Sequence, residues 1–155
     1  MIAFRKVAAL AGAVAATVMV LSTIRATSEE AASLFDLAEQ KRWEGDYPAA
    51  RALHGRSLAL RETTPATDPH DLVQSLRGLG NVHFKVAEYA EARSLADRAL
   101  AIAESSFGPD DPELAEALVD VARVMRATGD YVSGRPLLDR ALAIQETGHG
   151  PDFLQ

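Results

Sequence analysis

The residues that could do chemistry are few, and they do not converge. His54, His70, His83 and His149 are the four histidines, and no two lie three to five residues apart. No helical pair therefore offers two imidazoles to a metal. His83, inside a helical pattern, reads as a packing histidine. Asp110 and Asp111 are adjacent carboxylates, but an aspartate just before Pro112 has a sufficient task as a helix N-cap. Gly78-Leu79-Gly80 has no strand before it and sits within a helix, unlike a phosphate loop. Gly-x-Ser-x-Gly, Walker and His-Glu-x-x-His motifs are missing. With no cysteine, thiolate ligands and disulfides are excluded. These features point to a non-enzymatic protein with no cofactor and no metal. The chemistry that remains is gripping. Arg77, Asn81 and Lys85 recur at intervals of four, so they share one helix face that could hold a carboxylate.

The elements that carry these residues repeat. The stretch from Leu76 to Glu104 recurs 42 residues earlier and 42 residues later. Leu34, Leu76 and Leu118 coincide, as do Ala38, Gly80 and Ala122, and Tyr47, Tyr89 and Tyr131. Arg56, Arg98 and Arg140 follow, then Glu62, Glu104 and Glu146. A fixed period of this size marks a repeat array. Leu79-Gly80-Asn81, Ala87-Glu88-Tyr89, Ala92 and Ala99-Leu100 resemble the tetratricopeptide repeat. The 42-residue unit with Arg-Ala-Leu-Ala-Ile near its end resembles the kinesin-light-chain-like subtype, over roughly residues 31 to 155. HEAT and armadillo units have a similar period but lack the small residue and Tyr at the turn. The resemblance implies an all-α fold: a right-handed superhelical solenoid of about three helix-turn-helix units, here at 31–66, 70–108 and 112–150.

Local signals set the boundaries. Thr27 with Glu30 could form a capping box before the first helix, whose inward stripe would include Leu34, Leu37 and Ala38. Gly45-Asp46 breaks it, and Pro48 opens the second helix. Asp68-Pro69 and Asp111-Pro112 start the next two units. Gly80 leaves room for the paired helix. In the third unit Gly134 and Pro136 predict a helix that either starts late, near Ser133, or is kinked, and is the least stable of the array. Gly150-Pro151-Asp152 repeats Gly108-Pro109-Asp110 where a fourth unit would begin. Leu137, Leu138, Ala141 and Ile144 then lack a following helix. This predicts cover by a second copy, a partner or further sequence.

The N-terminal segment is of another kind. After Arg5-Lys6, Val7 to Ile24 is an uncharged run of 18 residues, read as an export signal or a membrane anchor over residues 1–26. It predicts an exported protein, periplasmic or secreted if cleaved, held in the inner membrane by one N-terminal helix if not. Residues 26–155 carry 13 basic and 22 acidic side chains, which argues against nucleic acid as a partner. The 13 Arg against 3 Lys, with abundant Ala, suggest a GC-rich bacterial source.

In tetratricopeptide arrays the first helix of each unit lines a concave groove. That resemblance implies a site of Phe35, Glu39 and Arg42, then Arg77, Asn81, Phe84 and Lys85, then Val119, Arg123 and Arg126. Some family members hold a C-terminal carboxylate with Lys, Asn and Arg. Arg77 and Asn81 match part of that set, while Glu116 and Asp120 stand where further clamp residues would be, so the full clamp is absent. The expected function is a scaffold or adaptor for a peptide or protein partner, acidic or C-terminal in character. The alternative is a self-associating module, a homodimer through the third repeat.

Overall fold

The computed structural model describes the backbone of residues 2–148 and the side chains of residues 16–147. Six helices follow one another: α1 (Ile2–Trp43), α2 (Tyr47–Thr63), α3 (Pro69–Lys85), α4 (Tyr89–Ser106), α5 (Pro112–Ala127) and α6 (Tyr131–Gly148). No strand occurs among the described residues.

Start and stop signals act as their chemistry requires. The Asp46 carboxylate accepts from the Ala49 amide at 3.1 Å, Asp68 from His70 at 2.9 Å and Asp111 from Glu113 at 2.8 Å. Each stands before a proline in the first turn, where a missing N–H costs nothing. The first helix of each unit ends alike. The amides of Asp46, Glu88 and Asp130 each donate at 2.9 Å to the carbonyl five residues back, closing a Schellman turn. The left-handed residue in that turn is Gly45 (φ +80°), Ala87 (φ +63°) and Gly129 (φ +87°).

Pairing is strictly between neighbours. α1 packs on α2, α3 on α4 and α5 on α6; α2 then packs on α3, and α4 on α5. The first helices α1, α3 and α5 also touch in sequence, whereas the second helices do not. A stack closed on one side and splayed on the other is curved, with the first helices on its concave side. The core is aliphatic and small: Leu76, Leu114 and Leu118 interdigitate with Ala99 and Ala103, all at most 1 % exposed. The splayed side is bridged by the recurring Arg and Glu. Arg56 meets Glu30 at 3.7 Å, Arg98 meets Glu62 at 2.5 Å and Arg140 meets Glu104 at 2.5 Å. At this exposure each pair contributes about 0–1 kcal/mol.

Several expectations are corrected. The capping box at Thr27 does not form, because α1 runs unbroken through it. No Gly or Pro interrupts residues 13–44, and the Thr27 and Ser28 hydroxyls donate back to the Ile24 carbonyl at 2.8 and 3.0 Å. α6 begins at Tyr131 rather than near Ser133, helped by Asp130, which accepts from the Ser133 amide at 3.2 Å. Pro136 thus lies inside the helix. Leu37 is 41 % exposed rather than inward, because no helix pair precedes it. Its counterpart Val121 is buried against Ala96 of the preceding pair. In the third unit Ala141 and Ile144 are buried and Leu137 is partly so; the uncovered leucines are Leu138 and Leu142.

Among the described residues no helix is long and apolar enough to cross a membrane. Residues 7–15 of the uncharged run fall outside the described side chains, and His149 and Gly150-Pro151-Asp152 fall outside the described residues.

Candidate partner-binding groove

The expected site residues all lie on the concave layer of α1, α3 and α5. Phe35, Glu39 and Arg42 of α1 and Arg77 and Asn81 of α3 line one open hollow of about 240 Å³, together with Gln74 and Gly78. Phe84 and Arg123 meet further along, the guanidinium 4.7 Å from the ring centroid. Lys85, Val119 and Arg126 are exposed at the ends and rim of this surface.

Most of the cationic chemistry is consumed within the molecule. The Arg77 Nε–H donates to Asp120 at 2.7 Å, and its Nη1 donates to Glu116. Burial pulls the Arg77 pKa down, but the two carboxylates outweigh it and hold the value above that of an ordinary arginine. Arg123 pairs with Asp120 at 2.9 Å and donates to the Asn81 carbonyl. Arg42 pairs with Glu39 and lies 4.9 Å over the Trp43 ring. Lys85 and Arg126 are different: both are exposed, and neither has an ion pair among the described residues.

These pairs join consecutive first helices, so the groove floor is a ladder between units. Glu116 and Asp120, which stand in clamp positions, are the anions that neutralise it. Gln74 was missed, although it occupies the same register position as Glu116.

His54 was missed altogether. It is fully buried between α1 and α3, its ring edge-on to Phe35 at 5.2 Å. Its Nε2 stands 3.2 Å from Glu39 Oε1, but neither ring nitrogen has an aligned hydrogen-bond partner. Burial pushes its pKa below the ordinary value; Glu39 opposes this, while Arg42 and Arg61 add to it. The imidazole is therefore held neutral. Arg61, also buried, reaches Ser75 Oγ at 2.8 Å and Asp71 at 3.2 Å, locking α2 to α3. His83 donates to or accepts from Glu88 at 2.6 Å beside the turn, and Glu88 also holds Arg51 at 2.8 Å. Among the described residues, no group of three or more His, Asp or Glu could hold a metal ion.

Residues 71–147 match the family model described as tetratricopeptide repeat. Solved structures with the same fold include kinesin light chain nearly identical TPR-like repeats from Podosopora anserina, at 21 % identity and a TM-score of 0.67. That match covers 79 % of this chain and 58 % of the other, so the chain spans little more than half of that array. The TPR domain of Arabidopsis FLU matches at 22 % identity and a TM-score of 0.67, covering 78 % of this chain and 98 % of that one. The N-terminal domain of stress-induced protein-1 from C. elegans matches at 15 % identity and a TM-score of 0.60, covering 77 % and 87 % respectively. At these identities the likeness is one of fold. No curated protein sequence matches the chain.

Proposed function

This chain carries tetratricopeptide repeats like those of kinesin-light-chain-like arrays, and from that premise we propose that its concave groove binds an acidic segment of a protein partner. Such repeats generally serve protein–protein interaction. The observation that carries the acidic specificity is the division among the groove cations. Arg42, Arg77 and Arg123 are neutralised by Glu39, Glu116 and Asp120, which leaves Lys85 and Arg126 free to meet a partner's charge. Phe84, half-buried between them in register, and Val119 offer apolar contact beside those two cations. A carboxylate that reaches either cation forms a charge-assisted hydrogen bond of the stronger kind. The three neutralised arginines act instead as spacers that set the distance between the first helices.

The test uses immobilised peptides that differ in acidic content and in free or amidated C-terminus, probed with the full chain in mild detergent. Binding is expected to rise with acidic content and to fall about tenfold or more with Lys85→Glu/Arg126→Glu, a loss of roughly 1.4 kcal/mol. Both side chains are exposed and unpaired, so helicity should be unchanged. Equal capture by wild type and the double variant would sink the proposal. A difference between free and amidated peptides of equal acidity would narrow the ligand to a C-terminal carboxylate.

A further inference from the structure

We propose that the outer edge of the third helix pair is a docking face for a helix of another polypeptide. That helix carries a small residue opposite Leu138 and a carboxylate, three positions later, opposite Arg123. The inference is independent of the groove reading.

The argument is that the same face occurs three times, and twice its occupant is visible. In the first pair the face is His54 and Leu58 of α2, and α3 covers it. Gly78 rests on His54 so closely that an added methyl would stand 2.6 Å from the ring Cε1. In the second pair the corresponding residues are Ala96 and Leu100 of α4, and α5 covers them. Here the residue in the place of Gly78 is Asp120. It lines a nearly closed gap of about 10 Å³ together with Ala96 and Arg77. A large residue meets the smallest one, and a small residue meets a larger one. In the third pair the positions are Leu138 and Leu142, 45 % and 54 % exposed. Leu138 has bulk comparable to His54, so the rule of the first interface applies, and its occupant needs Gly or Ala there.

The polar edge of the face sets the second requirement. Between the second and third units, Asn81 accepts from Arg123, the residue one unit on in register. One unit further, Arg123 stands in the place of Asn81, and its Nε is buried without a partner. Beside it, Val119, Ala122, Arg126 and Leu138 complete an apolar hollow of about 130 Å³. The counterpart of Asn81 on an incoming helix must therefore be an acceptor, best a carboxylate, aimed at two cations. The third contact is at Tyr131, 67 % exposed. Its counterpart Tyr47 shares a hollow with Val82 of the covering helix.

A second copy of this chain fits less well in either orientation. Head to tail, α1 would present Ser33, Asp36 and Gln40, all exposed and polar, with Asp36 set on Leu138. Tail to tail, Leu138 would meet leucine, bulk against bulk, where the first interface sets bulk against glycine.

The probe is a labelled peptide of this chain's own residues 68–85 carrying Asn81→Asp, locked as a helix by a lactam on its solvent side. It keeps Gly78 opposite Leu138 and gives Arg123 a carboxylate. Saturable binding to the full chain is expected. It should weaken about tenfold or more when the chain carries Leu138→Asp or Leu142→Lys, and when the peptide carries Gly78→Leu, each equivalent to roughly 1.4 kcal/mol. Both leucines are exposed, and circular dichroism checks that the variants stay folded. Absent binding, or equal binding by the variants, overturns the proposal. So does a dimer in sedimentation that Leu138→Asp dissociates while the peptide fails to bind, which would assign the face to a second copy.

Discussion

At the scale of single residues, His54 and Gly78 act as one unit. A buried, neutral imidazole without aligned hydrogen bonds is a costly group, and it is tolerated because α3 has no side chain where the ring sits. Gly80, two residues on, is different: an added methyl would stand 3.5 Å from Leu95 Cβ, an ordinary contact, and the corresponding residues are Ala38 and Ala122. Gly78→Ala should therefore destabilise the chain by about 1–3 kcal/mol through overpacking. Gly80→Ala should be neutral or stabilising by up to about 1 kcal/mol, since alanine costs less entropy in a helix. Urea unfolding of both variants checks the contrast; equal losses would contradict the assigned clash. His54 also gives stability a pH dependence. Its folded pKa is depressed by burial, so the unfolded chain takes up a proton near pH 6.5 that the folded chain resists. Stability is then complete above about pH 6.5 and declines as pH falls toward the folded value. His70 has the opposite sign: its hydrogen bond to Glu113 raises its pKa, so its contribution is lost as pH rises through that value. Melting temperature should fall between pH 7 and pH 5 in the wild type and fall less in His54→Leu. A parallel decline in both would place the acid sensitivity elsewhere.

At the scale of elements, the turns are where the three units can be compared directly. Ala87 holds φ +63° where the other units have glycine at +80° and +87°. The left-handed conformation costs a residue with a Cβ about 1–2 kcal/mol. Ala87 is exposed, so its methyl gives little back in packing. Ala87→Gly should raise stability by about 0.5–1 kcal/mol after the added backbone entropy of glycine is subtracted. A fall in the urea midpoint would contradict this. Helix starts and stops were legible because Asp-Pro and Gly-Asp act within a few residues. The course of α1 was not. A capping box needs a non-helical backbone at Thr27, and nothing in the Ala-rich chain on either side enforces one. Nor was the start of α6, where Asp130 repeats the capping role of Asp46 and outweighs the proline that follows.

At the scale of the whole molecule, the period of 42 carried the architecture: three helix pairs in a stack with the first helices inside. The position of the groove followed from that register. Its charge state did not. Arg77 and Asp120 are 43 residues apart, so their pairing depends on how neighbouring units dock, which a helical pattern within one unit does not reveal. His54 was hidden for the related reason that its register mates are Ala96 and Leu138, three residues with nothing in common but position. The differences between repeats thus carry as much as their likeness. The paired His54 and Gly78 give that difference a consequence for how such a chain can change over generations. The second unit set behind another copy of itself would lay glycine on Ala96 and leave a void. The third set behind the first would drive Asp120 into His54. Duplication or shuffling of whole units, the easiest way for a repetitive gene to grow, would break the fold at the joint. These three units can be inherited only in the order in which they stand.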